Sequence, residues 1–252
     1  MTIPRHARSQ VRPYGAPVVA TLLLALLSGM SHSVQAAQPV PAELKLAIGS
    51  EPTEGFDPLL GWSHGSYLLL HSPLLKQIAG DSADLGWQDL LTQAVTPNQD
   101  GKGWLITLKP GLKFSNGAPL TAEDVAFTYN SAAKGGGKID MGNFVSARVV
   151  SPTEVAIVLS APQSTFVNVL GSLGIVSKRD YDPKAYAQKP VGAGPYRLVS
   201  FLPGQQLVVE ANPYYAGGNN DFKRLVFVFI DEESAYAAAQ SSQLDLVRIP
   251  PS

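Results

Sequence analysis

The side chains able to do chemistry are few and lie early in the chain. The 252 residues hold four histidines and no cysteine, which removes thiol nucleophiles, disulfides and thiolate metal sites. His6 and His32 fall in an N-terminal leader, so His64 and His71 remain. Gly61-Trp62-Ser63-His64-Gly65 spells G-x-S-x-G, the turn that presents a nucleophilic serine in α/β-hydrolases. Such an elbow follows a buried central strand and needs a histidine after the acid. Proline cannot donate to a central ladder, yet Pro58 stands just ahead, and the last histidine is His71. An exported hydrolase using Ser63 is therefore the weaker alternative, and the chain is expected not to be an enzyme. A resident metal is not expected either. Glu51, Asp57, His64 and His71 are scattered donors, whereas a zinc centre needs three or four convergent ones. A metal would arrive already wrapped in a small organic chelator, and no cofactor is implied. Within the same loop Trp62 can stack on a ligand plane or cation, and His64 can donate, accept or ligate. The plainer alternative makes Trp62 a core aromatic and His64 an exposed loop residue.

The elements that must position this loop can be read on either side of it. Residues 44–48 form a short strand, followed by a breaker-rich loop, 49–58, and a helix start over 66–70 that Pro73 ends. Residues 93–108 read as a hairpin turned at Asp100-Gly101. From 109 to 130 the chain carries two turn dipeptides, Pro110-Gly111 and Asn116-Gly117, then a helix capped by Thr121 with Glu123 and Asp124 in its first turn. Gly135-Gly136-Gly137 leaves that helix; Lys138 follows, but no serine or threonine comes next, so a phosphate loop is not indicated. A second hairpin, 145–150 with 154–159, turns at Ser151-Pro152, and Val155, Ile157 and Leu159 share one face. A short helix over 164–170 is expected to be capped by Ser164 or Thr165 and closed by Gly171, with a brief strand at 175–176. A third hairpin pairs 196–202 with 206–211. Residues 225–230 are an unbroken apolar run, as in a strand covered on both faces. With a helix over 231–241 and a strand over 244–249 they make a βαβ unit.

Net charge is −1, which does not suggest a nucleic-acid partner. Arg5, Arg8 and Arg12 precede an apolar stretch over 16–27, and Val34-Gln35-Ala36 fits a cleavage site. This is the pattern of a secretory signal peptide spanning 1–36; its apolar run is shorter than the roughly 20 residues of a membrane span. Without cysteine there is no lipid anchor, so the mature chain, 37–252, is expected to be free in the periplasm.

Residues 104–125 resemble the signature of the family 5 extracellular solute-binding proteins, the peptide-, dipeptide- and nickel-binding components of ABC importers. That pattern runs from a tryptophan-led strand into L-R-P-G-V-K-F-x-D-G-x-P-L-T-A-E-D-V; here Asn116 takes the place of the usual aspartate. Residues 190–196 resemble the family's P-V-G-T-G-P-Y, and Asn212-Pro213-Tyr214-Tyr215 with Gly217-Gly218 resembles its N-P-x-Y-W-G-G. The resemblance implies an α/β, type II periplasmic-binding-protein-like (Venus-flytrap) first lobe, with a mixed sheet, hairpins and the βαβ unit. Residues 85–190 would be an inserted hairpin and helix subdomain, and the chain would end at the hinge with the second lobe absent, as a truncated or split product. The partners implied are a small ligand and an inner-membrane permease, with the receptor a monomer. In relatives the loop over 61–66 reaches the ligand cleft, and the wording from Gly55 to Trp62 resembles the nickel and metallophore branch. Candidate ligand residues are thus Trp62, His64 and Tyr67, with Lys138 and Met141 where chelate-binding relatives place a basic side chain and an aromatic. Relatives that bind nickel carry an arginine near 173–175, and here Leu173-Gly174-Ile175 has none. A periplasmic chaperone-like interaction protein is a further alternative.

Overall fold

The structure, a computed structural model, describes residues 42–48, 51–60, 67–79, 85–135 and 140–247. The expected leader, Trp62, His64, Lys138 and the whole G-x-S-x-G stretch lie outside the described residues. In order the elements are β1 (Glu43–Ile48), a 3-10 turn (Pro58–Leu60), α1 (Tyr67–Leu70), β2 (Leu75–Ala79), β3 (Leu85–Asp89), β4 (Thr92–Pro97) and β5 (Gly103–Leu108). Then follow α2 (Ala122–Lys134), β6 (Phe144–Ser151), β7 (Glu154–Leu159), a 3-10 turn (Ser164–Phe166) and α3 (Val167–Ser172). The last are β8 (Tyr196–Leu202), β9 (Gln206–Ala211), β10 (Arg224–Phe229) and α4 (Glu232–Gln240).

Two four-stranded sheets organise the fold. The first has the order β1-β10-β9-β8, with β1 parallel to β10 and the other neighbours antiparallel. The second, β4-β5-β7-β6, is antiparallel throughout. The three hairpins lie where alternation and turn residues placed them. Gly101 and Gly204 turn two of them at φ +67° and +70°, a region costly for side chains other than glycine.

In the first sheet, Leu225 and Phe227 point to one core with Phe56, Leu70, Tyr196, Leu207 and Val209. Val228 on the other face packs with Ala47, Ala235 and Leu244 under α4. The apolar run is therefore covered on both sides, as its lack of alternation suggested. The βαβ unit straddles β1: β10 pairs with one edge, and Leu246 bridges the other through Leu46. The expected strand over 244–249 is reduced to that bridge among the described residues. The Asp245 carboxylate accepts from the Lys45 amide at 2.7 Å, so a side chain replaces part of the ladder.

The second sheet buries Ile106, Leu108, Val155, Ile157 and Leu159 against α2, whose Val125, Tyr129 and Ala132 face them. Helix α2 starts after Thr121, whose amide donates to the Asp124 carboxylate at 2.8 Å. Beyond β7, Gly171 does not close a helix as expected. It lies inside α3, where a Cβ would sit 1.8 Å from the Trp87 ring, so glycine is needed to admit that indole. Hairpin β2–β3 carries Trp87 and was not foreseen.

Candidate functional site

The two sides of 61–66 are held by one stretch of chain, 181–194. On the N-terminal side, the Phe56 amide donates to Ala187 O at 2.8 Å. A Cβ on Gly55 would come within 2.5 Å of that same oxygen, and the φ of +79° favours glycine besides. Asp57 is buried; its carboxylate accepts from the Leu59 amide at 2.9 Å and from the Tyr181 hydroxyl at 2.8 Å. Burial pushes the Asp57 carboxyl above its usual range, and the two donors offset this only in part. Tyr181 is pushed up in turn, by burial first and then by the carboxylate it faces.

On the C-terminal side, His71 follows α1 and is fully buried. Its Nε2 lies 2.9 Å from the Tyr186 hydroxyl, which donates to Val191 O at 2.8 Å. That hydroxyl has a single proton and the carbonyl can only accept, so Nε2 carries the hydrogen between ring and phenol. Burial pushes Tyr186 well up. The end of α1 is clasped by backbone: the Gly194 amide donates to Leu70 O at 2.9 Å, and the Ser72 hydroxyl donates to Ala193 O at 2.8 Å. A Cβ on Gly192 would stand 1.9 Å from Leu70 O.

The three signature stretches meet at this clasp. The Ser115 amide donates to Gly192 O at 2.8 Å. Asn212 donates from its side chain to Gly194 O and from its amide to Pro195 O, at 2.8 and 2.9 Å. Lys113 stands 5.2 Å from the centre of the Tyr214 ring. Asn116 donates to the Asp180 carboxylate at 3.1 Å; an aspartate there would face a like charge.

A groove of about 740 Å³ opens beside this frame, lined by Thr53, Gly55, Lys189, Val191, Ser200 and Phe201 among others. Strands β1, β10 and β8 run the same way, so the loop after β1 and the turn after β8 share one end of the sheet. Carboxyl ends of strands are where open α/β sheets receive ligands. The Glu51 carboxylate, which accepts from the Gly204 amide, ties that loop to that turn.

Of the sequence-derived candidates, Tyr67 opens α1 and Met141 is buried in the core with Phe166, Leu159 and Tyr129. Leu173 and Ile175 are buried as well, and Gly174 backs onto the His71 side chain. The groups that hold the loop, Asp57, His71, Tyr181 and Tyr186, were not foreseen as a set. Among the described residues, no three histidines or carboxylates converge on a metal-sized site, and no helix is long and apolar enough to cross a membrane.

Comparison with known proteins gives this geometry its kin. The chain is 27% identical over 245 residues to the Escherichia coli K12 protein named "Probable D,D-dipeptide-binding periplasmic protein DdpA", covering 91% of this chain and 46% of that one. It is 25% identical over 238 residues to the nickel-binding periplasmic protein of Escherichia coli K12, covering 89% and 44%. The oligopeptide-binding protein AppA of Bacillus subtilis, solved with a nonapeptide, superposes with a TM-score of 0.73 at 26% identity, covering 82% of this chain and 44% of that one. The fold is thus the α/β fold of the type II periplasmic binding proteins, and the chain spans about half the length of the relatives it matches. The family model for bacterial extracellular solute-binding proteins, family 5 Middle, matches residues 87–252, and the chain belongs to that family.

Proposed function

We propose that the chain serves as the substrate-binding component of an ABC importer, taking short peptides or metal chelates, with chelates of the nickel type slightly favoured. It works outside the inner membrane after cleavage of the leader over 1–36, as a monomer that delivers its ligand to a permease. Family membership carries this reading. The wording from Gly55 to Trp62 supports the chelate class. Binding involves no bond making, and the relatives compared are binding proteins by name. Trp62 stacks on the ligand, while His64 hydrogen-bonds or completes the metal's coordination; Tyr67 and Lys138 add further contacts. Met141, buried in the core with Phe166 and Leu159, would contribute by packing.

Calorimetric titration of the full mature chain with nickel(II)–L-histidine, and separately with a short peptide, tests this. Binding of one probe is expected, weakened at least about tenfold by Trp62→Ala or His64→Ala, the scale of one lost stacking or charge-assisted contact. No binding of either probe, or binding indifferent to both substitutions, refutes it.

A further inference from the structure

We propose that Asn116-Gly117 is a guarded deamidation site: the native turn pins both reacting groups, and a chain left unfolded is converted there to forms that no longer rebuild the turn. It is the one Asn-Gly step in the 252 residues, and the inference does not depend on the ligand. With no side chain on the second residue to obstruct ring closure, Asn-Gly is the asparagine step most prone to this reaction. The Gly117 amide nitrogen gives up its proton and bonds to the Asn116 side-chain carbon Cγ. The Cγ–Nδ2 bond breaks, and ammonia leaves with that proton. Water then opens the five-membered imide at either carbonyl. One opening gives aspartate; the other gives isoaspartate, in which the backbone runs through the former side chain. One water is consumed and one ammonia released.

Asn116 is exposed, so lack of water is not what protects it. Its protection lies in hydrogen bonds. The Gly117 amide donates to Phe114 O at 2.9 Å, which commits the proton that ring closure must remove. The carboxamide is held at both ends: Oδ1 accepts from the Ala118 amide at 3.0 Å, and Nδ2 donates to the Asp180 carboxylate at 3.1 Å. Ring closure is opposed by all three of these bonds. The Phe114 amide closes the turn by donating to Ala118 O at 2.8 Å, and the φ of +83° at Gly117 suits glycine. Either product then damages the same place. Isoaspartate adds a methylene to the backbone between Phe114 and Ala118, whose groups bond across the turn, and next to the Ser115 amide that donates to Gly192 O. Aspartate keeps the backbone but replaces the donor facing Asp180 with a second carboxylate. Conversion is irreversible, so the turn retires chains that stay open too long.

The test holds the mature chain native, or unfolded in guanidinium chloride, at the same mildly alkaline pH. Conversion is followed by peptide mapping, from the mass change of amide to acid and from enzymatic methylation of isoaspartate. Native conversion at Asn116 is expected to be at least about tenfold slower, the weight of one hydrogen bond to be opened. Equal rates in the two states overturn the guard. Another asparagine that converts faster than Asn116 in the unfolded chain overturns the choice of site. A second arm refolds chains aged in denaturant and reads the recovered ellipticity. Wild-type recovery is expected to fall in step with conversion, with converted chains missing from the refolded pool. Asn116→Gln, whose longer side chain must close a slower six-membered ring, is expected to recover fully against its own unaged sample. Converted chains that refold as completely as intact ones overturn the proposal, and so does an equal loss in Asn116→Gln. The first arm needs no substitution and decides the guard by itself.

Discussion

Replacing Gly192 with alanine is the most direct probe of the frame that holds the chain on either side of 61–66. A Cβ there would sit 1.9 Å from Leu70 O, 2.7 Å from Leu70 C and 2.8 Å from His71 Cδ2. Ordinary contact begins near 3.4 Å, so the two backbones must part by about 1.5 Å. That opening is enough to break the 2.9 Å bond from the Gly194 amide to Leu70 O and to strain the 2.8 Å bond from the Ser115 amide to Gly192 O. Each such buried bond left unmade costs about 1–3 kcal/mol, and forced overpacking about 1–3 kcal/mol more. Alanine recovers about 0.4–1 kcal/mol by stiffening the unfolded chain. The expected loss is about 2–8 kcal/mol, a large share of the roughly 5–15 kcal/mol that holds a typical domain. Gly204→Ala is the control: nothing lies within 4 Å of its would-be Cβ, and only its φ of +70° is penalised, at about 1–2 kcal/mol. Urea unfolding followed by circular dichroism gives both values from midpoint and slope. A Gly192→Ala protein that loses no more than Gly204→Ala would refute the close approach on which the clasp depends.

Two further perturbations have defined outcomes. Asp57 is pushed above its usual value of 3.8 by burial, so the folded state prefers it protonated. Its contribution to stability is thus largest in acid and is lost as pH rises through the raised value. Asp57→Asn should therefore gain on the wild type between the ordinary aspartate range and neutrality, as read from urea midpoints across that interval. A difference that does not vary with pH contradicts this. Asn130 pairs both its amide ends with Ala147, donating to O at 2.8 Å and accepting from N at 3.0 Å, and so closes the edge of β6. Asn130→Ala should cost about 1–3 kcal/mol and promote association through an edge already bearing exposed Val145, Val149 and Val150. Light scattering against concentration checks it, and a monodisperse variant counts against the edge argument.

What was legible in the sequence was what neighbouring residues decide. Asp100-Gly101 and Pro203-Gly204 fix hairpin turns within a few residues, and Val155, Ile157 and Leu159 declare a buried face by alternation. The unbroken run at 225–230 announced two-sided cover, which α4 and Phe56 supply from opposite faces. The expected ending of a helix at Gly171 rested on a local rule, and a long-range fact displaced it: the Trp87 ring occupies the space where a side chain would stand. Hairpin β2–β3 escaped because Lys76, Gln77 and Ile78 are exposed in succession, so no alternation marks the strand. The two buried polar pairs escaped for a similar reason. Asp57 and His71 look like isolated polar residues until the chain returns more than a hundred positions later with Tyr181 and Tyr186. The family signatures were legible as strings, but only the fold shows that all three converge on the end of one short helix.

That convergence separates two kinds of information. The recurring strings describe a mounting bracket: Ser115, Gly192, Gly194 and Asn212 spend their hydrogen bonds on one another and on the carbonyl of Leu70. The hydrogen bonds of the bracket are made by residues outside 61–66, so the bracket can persist while those six residues vary. Replacing those six residues is accordingly a small surgical change, with Phe56 on one side and Leu70 on the other already anchored.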